Sequence, residues 1–105
     1  MSMPKSDIGI ARNIKTIEWL KAELVSGVAV FFRGLVKNTE ETIIDGLANI
    51  VITCFILGNR LGISFSRLDI KIENRIKANI EQDHEIEQWY GDFSALLRYL
   101  QDNKR

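Results

Sequence analysis

DGLANIVITCFILGNRLGIS, residues Asp45 to Ser64, reads as one long apolar helix with a polar thread of Asp45, Asn49 and Thr53 before it ends in Arg60-Leu61-Gly62-Ile63. At about 100° per residue, Asp45 and Asn49 lie about 40° apart and Thr53 about 80° from Asp45. Short polar side chains therefore fall inside or beside a face that such a helix has to bury.

Outward from this segment the chain continues as helices. Upstream, Ile10, Ile14, Ile17, Leu20, Leu24, Val28 and Phe31 step by three or four, which predicts a first helix from about Ile8 to Val36, with Gly27 as a possible kink. Asn38-Thr39-Glu40-Glu41 joins capping residues to acids at the positive end of a helix dipole, so the second helix starts there. It runs to Leu61 and stops at Gly62, which suits the left-handed conformation that closes helices. Ser66 and Asp69 suggest the cap of a third, amphipathic helix, with Leu68, Ile72, Ile76 and Ile80 on one side and Lys71, Glu73, Arg75 and Lys77 on the others. The pattern breaks near Tyr90-Gly91-Asp92, after which Phe93, Leu96, Leu97 and Leu100 form the stripe of a last helix. No strand-like alternation, internal repeat or interdomain linker competes, so the fold class is all-α.

Composition narrows the rest. A 105-residue chain that is 46% apolar can bury one small core, so 1–7 is expected as a flexible N-terminus and 8–105 as a single domain. Fourteen basic residues balance fourteen acidic ones, which gives no field for nucleic acid or an anionic membrane. Cys54 stands alone within the apolar run and is expected to pack as a small hydrophobe, consistent with a reducing, cytoplasmic setting. MSMPKSD has no signal-peptide core, and the apolar run Ile50 to Leu57 is too short to cross a bilayer, so membrane insertion is not expected.

Two long helices joined by a short acidic turn, then Asn59-Arg60-Leu61-Gly62-Ile63 and a charged third helix, resemble the MazG-like branch of the all-α NTP pyrophosphatase superfamily. Leu47-Ala48-Asn49-Ile50 and the segment His84 to Arg98 carry the same resemblance over most of the chain. It implies two long antiparallel helices plus two shorter ones, a bundle completed by oligomerisation as a dimer or tetramer. It also implies Mg²⁺-dependent cleavage of nucleoside triphosphates to monophosphate and pyrophosphate. The superfamily's acids form E-E-x-x-E on one helix and E-x-x-D on the next, because carboxylates one turn apart aim at one hard, oxygen-seeking cation.

Those acids are missing here. Counting back from Gly62, E-x-x-D falls on Gly46 and Asn49; on the first helix the favoured register of E-E-x-x-E falls on Ser26, Gly27 and Val30, and a shifted register keeps only Glu23. None of the eight glutamates has Asp or Glu three positions later. The expectation is thus a degenerate domain that binds or scaffolds without catalysis. The alternative is a working pyrophosphohydrolase that draws on Glu23, Asp45 and Asn49, with Glu23, Glu41 and Asp45 toward Mg²⁺ and Arg60, Lys71 and Arg75 toward the phosphates of a nucleotide. Against it, these charges also suit solvated helix faces, and Asp45 and Asn49 suit hydrogen bonds between helices.

Glu81, His84, Glu85 and Gln88 lie close together on a helical face, yet a single E-x-x-H pair does not assign a metal. Trp19, Phe31, Phe32, Trp89, Tyr90, Phe93 and Leu97 are the expected contacts of a homo-oligomer, since a helix apolar around more than half its girth needs cover on two sides.

Overall fold

The computed structural model describes residues 5–37 and 39–103, with side chains from Ile8 onward. Five helices follow one another: α1 (Lys5–Gly34), α2 (Glu40–Arg60), α3 (Phe65–Glu81), α4 (Glu85–Tyr90) and α5 (Asp92–Asp102), with no strand among the described residues. The fold is all-α. Of the expected flexible stretch 1–7, Lys5 onward is already helical and the rest lies outside the described residues, as does Asn38 of the expected cap. The contacts divide the chain into two units, Met1–Phe65 and Ser66–Arg105.

The first unit is a helical hairpin. Asn13 Nδ2 donates to the Arg60 carbonyl at 3.1 Å, Gly27 lies against Asn49, Phe31 against Gly46 and Gly34 against Thr42. As one number rises the other falls, so α1 and α2 are antiparallel. Leu20 and Thr53 are buried, and the Thr53 hydroxyl donates to the Asn49 carbonyl one turn back at 2.7 Å. That bond lets a polar side chain sit inside the hairpin. Thr39 takes the extended N-cap conformation, and Glu40 and Glu41 occupy the first turn of α2.

The end of α2 is a Schellman closure. Gly62 stands at φ 95, its N–H donates to the Asn59 carbonyl at 3.1 Å, and the Ile63 N–H reaches the Gly58 carbonyl at 2.9 Å. Beyond it, the rings of Phe55 and Phe65 meet at 6.3 Å.

The hairpin has two unlike sides. At about 100° per residue, Ile10, Ile14, Val25 and Phe32 share one flank of α1, and Ile44, Leu47, Val51 and Cys54 share one flank of α2. In an antiparallel pair these flanks lie on the same side, and all eight residues are exposed. Cys54 is therefore not the packed hydrophobe expected from its apolar surroundings. The opposite side carries Glu23, Ser26 and Val30 from α1 and Thr42, Asp45 and Asn49 from α2.

An 18-residue stretch of α2 reaches a mean hydropathy of 1.6, so by length and composition the helix is long and apolar enough to cross a membrane. Counting only the run Ile50 to Leu57, which Thr53 interrupts, understates its length. Its hairpin partner is unlike a membrane span, because α1 carries Arg12, Lys15, Glu18, Lys21 and Glu23 within three turns.

In the second unit α3 turns Ile76 inward as its buried residue. The helix predicted to run on toward Tyr90 instead breaks at Gln82-Asp83-His84. Asp83 takes φ 55, its N–H donates to the Ile80 carbonyl at 3.1 Å, and the His84 N–H donates to the Asn79 carbonyl at 3.2 Å. This is a second Schellman closure with aspartate in the place usually held by glycine. Gly91 at φ 68 then links α4 to α5.

Large apolar side chains remain uncovered in both units: Val25, Phe32, Trp89, Tyr90 and Tyr99 are each at least 61% exposed.

Candidate functional site

A hollow of about 450 Å³ opens on the polar side of the hairpin, lined by Glu23, Ser26, Gly27, Val30, Phe31, Thr42, Asp45, Gly46 and Asn49. The positions that the favoured register gives to metal-binding acids all lie on its wall: Ser26, Gly27 and Val30 on α1, Gly46 and Asn49 on α2. Antiparallel packing brings the two motifs to one height. The register counted from Gly62 thus locates the recess, although the side chains expected there are absent.

What remains are the carboxylates of Glu23 and Asp45, the amide of Asn49 and the hydroxyls of Ser26 and Thr42. Asp45 and Asn49 are exposed where they line the wall. Glu41 does not line the hollow, and no lysine or arginine does. Arg60 lies at the far end of α2, where its guanidinium donates to Asn13 Oδ1 at 3.4 Å. Lys71 and Arg75 are exposed on α3, which belongs almost wholly to the other unit.

Gly46 has a steric constraint as well. A Cβ built there would meet Phe31 Cδ1 at 2.6 Å and the Phe31 Cβ and Cγ at 3.4 Å, so no side chain larger than hydrogen fits while the ring stays. Gly27 differs: its nearest neighbour would be Asn49 Nδ2 at 3.6 Å, an ordinary contact.

Residues 10–93 match the family model of MazG-like proteins. The chain belongs to the MazG-like family. Neither a curated protein nor a solved structure matches it. Membership implies Mg²⁺, and the donors of this MazG-like hollow can be tested against that ion. Magnesium demands near-octahedral oxygen ligands at about 2.0–2.1 Å and dehydrates reluctantly, so a site without a dense set of carboxylates holds it poorly. Here two glycines and a valine supply no side-chain donor, and one of those glycines has no room to gain one. No group of three or more His, Cys, Asp or Glu among the described residues is placed to hold a metal. The family's ion does not fit the residues present.

The helical break removes the other expected cluster. Glu81 ends α3, whereas His84 caps α4, its Nδ1 accepting from the Ile86 N–H at 3.2 Å and its ring lying edge-on to Phe93 at 5.3 Å. Gln88 Nε2 donates to the Asp83 carbonyl at 2.8 Å. His84 and Gln88 thus hold a corner together, and Glu81, His84, Glu85 and Gln88 are not one helical face. Of the expected contact aromatics, Trp19, Phe32, Trp89 and Tyr90 are exposed, while Phe31, Phe93 and Leu97 are half-buried within their own units.

Sequence reasoning missed Phe31 and Thr42 as parts of the hollow. The spacing held a signal, because Phe31 falls one residue after Val30 in the register, but only the hairpin's crossing shows which glycine it faces.

Proposed function

We propose that this MazG-like domain does not hydrolyse nucleotides and acts as an oligomeric helical scaffold. The observation that carries this reading is the wall of the hollow, where serine, glycine, valine, glycine and asparagine stand at the family's acid positions. Without a bound cation, Glu23 and Asp45 also repel a triphosphate, so the recess favours neither the substrate nor the metal that would bring it.

The scaffold's partner is a second copy of the chain. On the apolar side of the hairpin, Ile44, Leu47, Val51 and Cys54 recur at alternating steps of three and four, the spacing of a seam between packed helices. A cytoplasmic setting suits the lone thiol, and the charges of α1 argue for a second copy over a bilayer.

One observation keeps a catalytic alternative in view: Glu23, Asp45 and Asn49 share the hollow. Purified protein incubated with canonical and modified nucleoside triphosphates and Mg²⁺ or Mn²⁺ separates the two. No pyrophosphate release is expected. Release that vanishes in Glu23→Gln and Asp45→Asn would establish the pyrophosphohydrolase instead.

A further inference from the structure

The hollow differs from a carboxylate cage in shape as well as in charge. Phe31 of α1 faces Gly46 of α2, and of the three nearest atoms only the ring's Cδ1, at 2.6 Å, lies inside van der Waals contact, while Cβ and Cγ at 3.4 Å are ordinary neighbours. A side chain at position 46 therefore requires the ring itself to move. Its neighbour Phe32 stands 5.9 Å away between ring centres, on the side of the exposed apolar flank. Gly34 repeats the close crossing one turn along, where a Cβ would meet the Thr42 methyl at 3.1 Å.

We infer that Phe31, paired with Gly46, excludes a divalent cation from the hollow, so that returning the missing acids without removing the ring does not restore metal binding. This rests on the hollow occupying the family's metal position, and it adds a cause: the loss is held by packing, and each partner of the pair fixes the other. With Phe31 in place, a glutamate at 46 has to push the helices apart. With the ring gone, the space left by its Cδ1 lies where that glutamate's stem begins. Phe31 is a positioning residue that sets the spacing of α1 and α2, and it touches no reacting atom.

The test uses the full chain with Ser26→Glu, Gly27→Glu, Val30→Glu, Gly46→Glu and Asn49→Asp, made with Phe31 retained or with Phe31→Ala. Mn²⁺ binding is measured by the loss of the free-ion electron paramagnetic resonance signal, and folding by circular dichroism. At least tenfold tighter Mn²⁺ binding is expected in the Phe31→Ala version. Equal binding by both versions would overturn the inference.

Should the five-acid chains not fold, the pair alone decides. Gly46→Glu, Phe31→Ala and the double variant are compared by thermal midpoint, and the double is expected to lose clearly less than the two singles together. Additive losses would overturn the inference. Pyrophosphate release by the unaltered chain that depends on Glu23 and Asp45 would refute the scaffold reading and the exclusion together, whereas additive losses without any release would refute the exclusion alone, so the two failures are distinguishable.

Discussion

Phe31 closes over Gly46 while leaving Gly27 free, although both glycines line the same hollow. A Cβ would stand 2.6 Å from the Phe31 ring at Gly46 but 3.6 Å from the Asn49 amide at Gly27. Replacing a helical glycine by alanine ordinarily stabilises by about 0.5–1 kcal/mol. Overpacking costs about 1–3 kcal/mol and reverses that sign. Gly27→Ala is therefore expected to raise the thermal midpoint and Gly46→Ala to lower it, both read by circular dichroism. A rise for Gly46→Ala would mean that Phe31 yields freely.

The hairpin is largely legible in the sequence because its signals are local. Steps of three and four give α1, two acids open α2, and Gly62 closes it in the left-handed conformation assigned to it. The Gly46 and Asn49 register even finds the hollow. Illegible were the features that depend on a partner surface or an uncommon residue. Asp83 ends α3 without glycine or proline to announce it, so α3 and α4 read as one helix. Cys54 looks like core by composition but lies on the flank away from α1, a distinction only the crossing can make. Phe31 reads as an interface aromatic, whereas the glycine opposite draws half of it inward.

Val51 probes the apolar side of the hairpin. It is 54% exposed in the single chain, where Val51→Asp would change stability by no more than about 0.5 kcal/mol. Against a second copy the same substitution leaves an unpaired charge buried, a loss of about 3 kcal/mol or more. Sedimentation is expected to show a shift from oligomer to monomer, and the midpoint of the unaltered protein should fall on dilution. Cys54 gives an independent readout: a maleimide should label it slowly in the unaltered protein and rapidly in Val51→Asp. Rapid labelling of both, with an unchanged sedimentation profile, would exclude this face as the seam. Flotation with neutral phosphatidylcholine vesicles would assign it to a bilayer.

The corner at His84 makes a different demand. Because its Nδ1 accepts the Ile86 N–H, His84→Ala leaves one of the orphan donors of α4 without its partner. Loss of such a cap costs about 0.5–2 kcal/mol. Faster amide exchange at Ile86 is expected in His84→Ala, with protection kept in His84→Asn. If Zn²⁺ slowed that exchange in the unaltered protein, His84 would be a ligand and the cap incidental.

Glu87 links α4 to α5 through Ser94, whose hydroxyl donates to Oε1 and whose N–H donates to Oε2 at 3.1 Å. The hydroxyl is the chief reason that the carboxyl is held below its ordinary value of 4.5; the Ser94 and Phe93 N–H groups and the charge of Arg98 add to it, and burial opposes it. A carboxylate whose pKa is lower in the folded state stabilises fully above its unfolded value, and that contribution fades as pH falls through the folded one. Protection of the Ser94 amide, measured by hydrogen exchange and corrected for the intrinsic rate, should therefore stay level from neutral pH down to about 4.5 and decline only below it. Glu87→Gln should show weaker protection with no step in that range. A step centred above 4.5 in the unaltered protein would mean that another group, not the Glu87 and Ser94 pair, fastens α5 to α4.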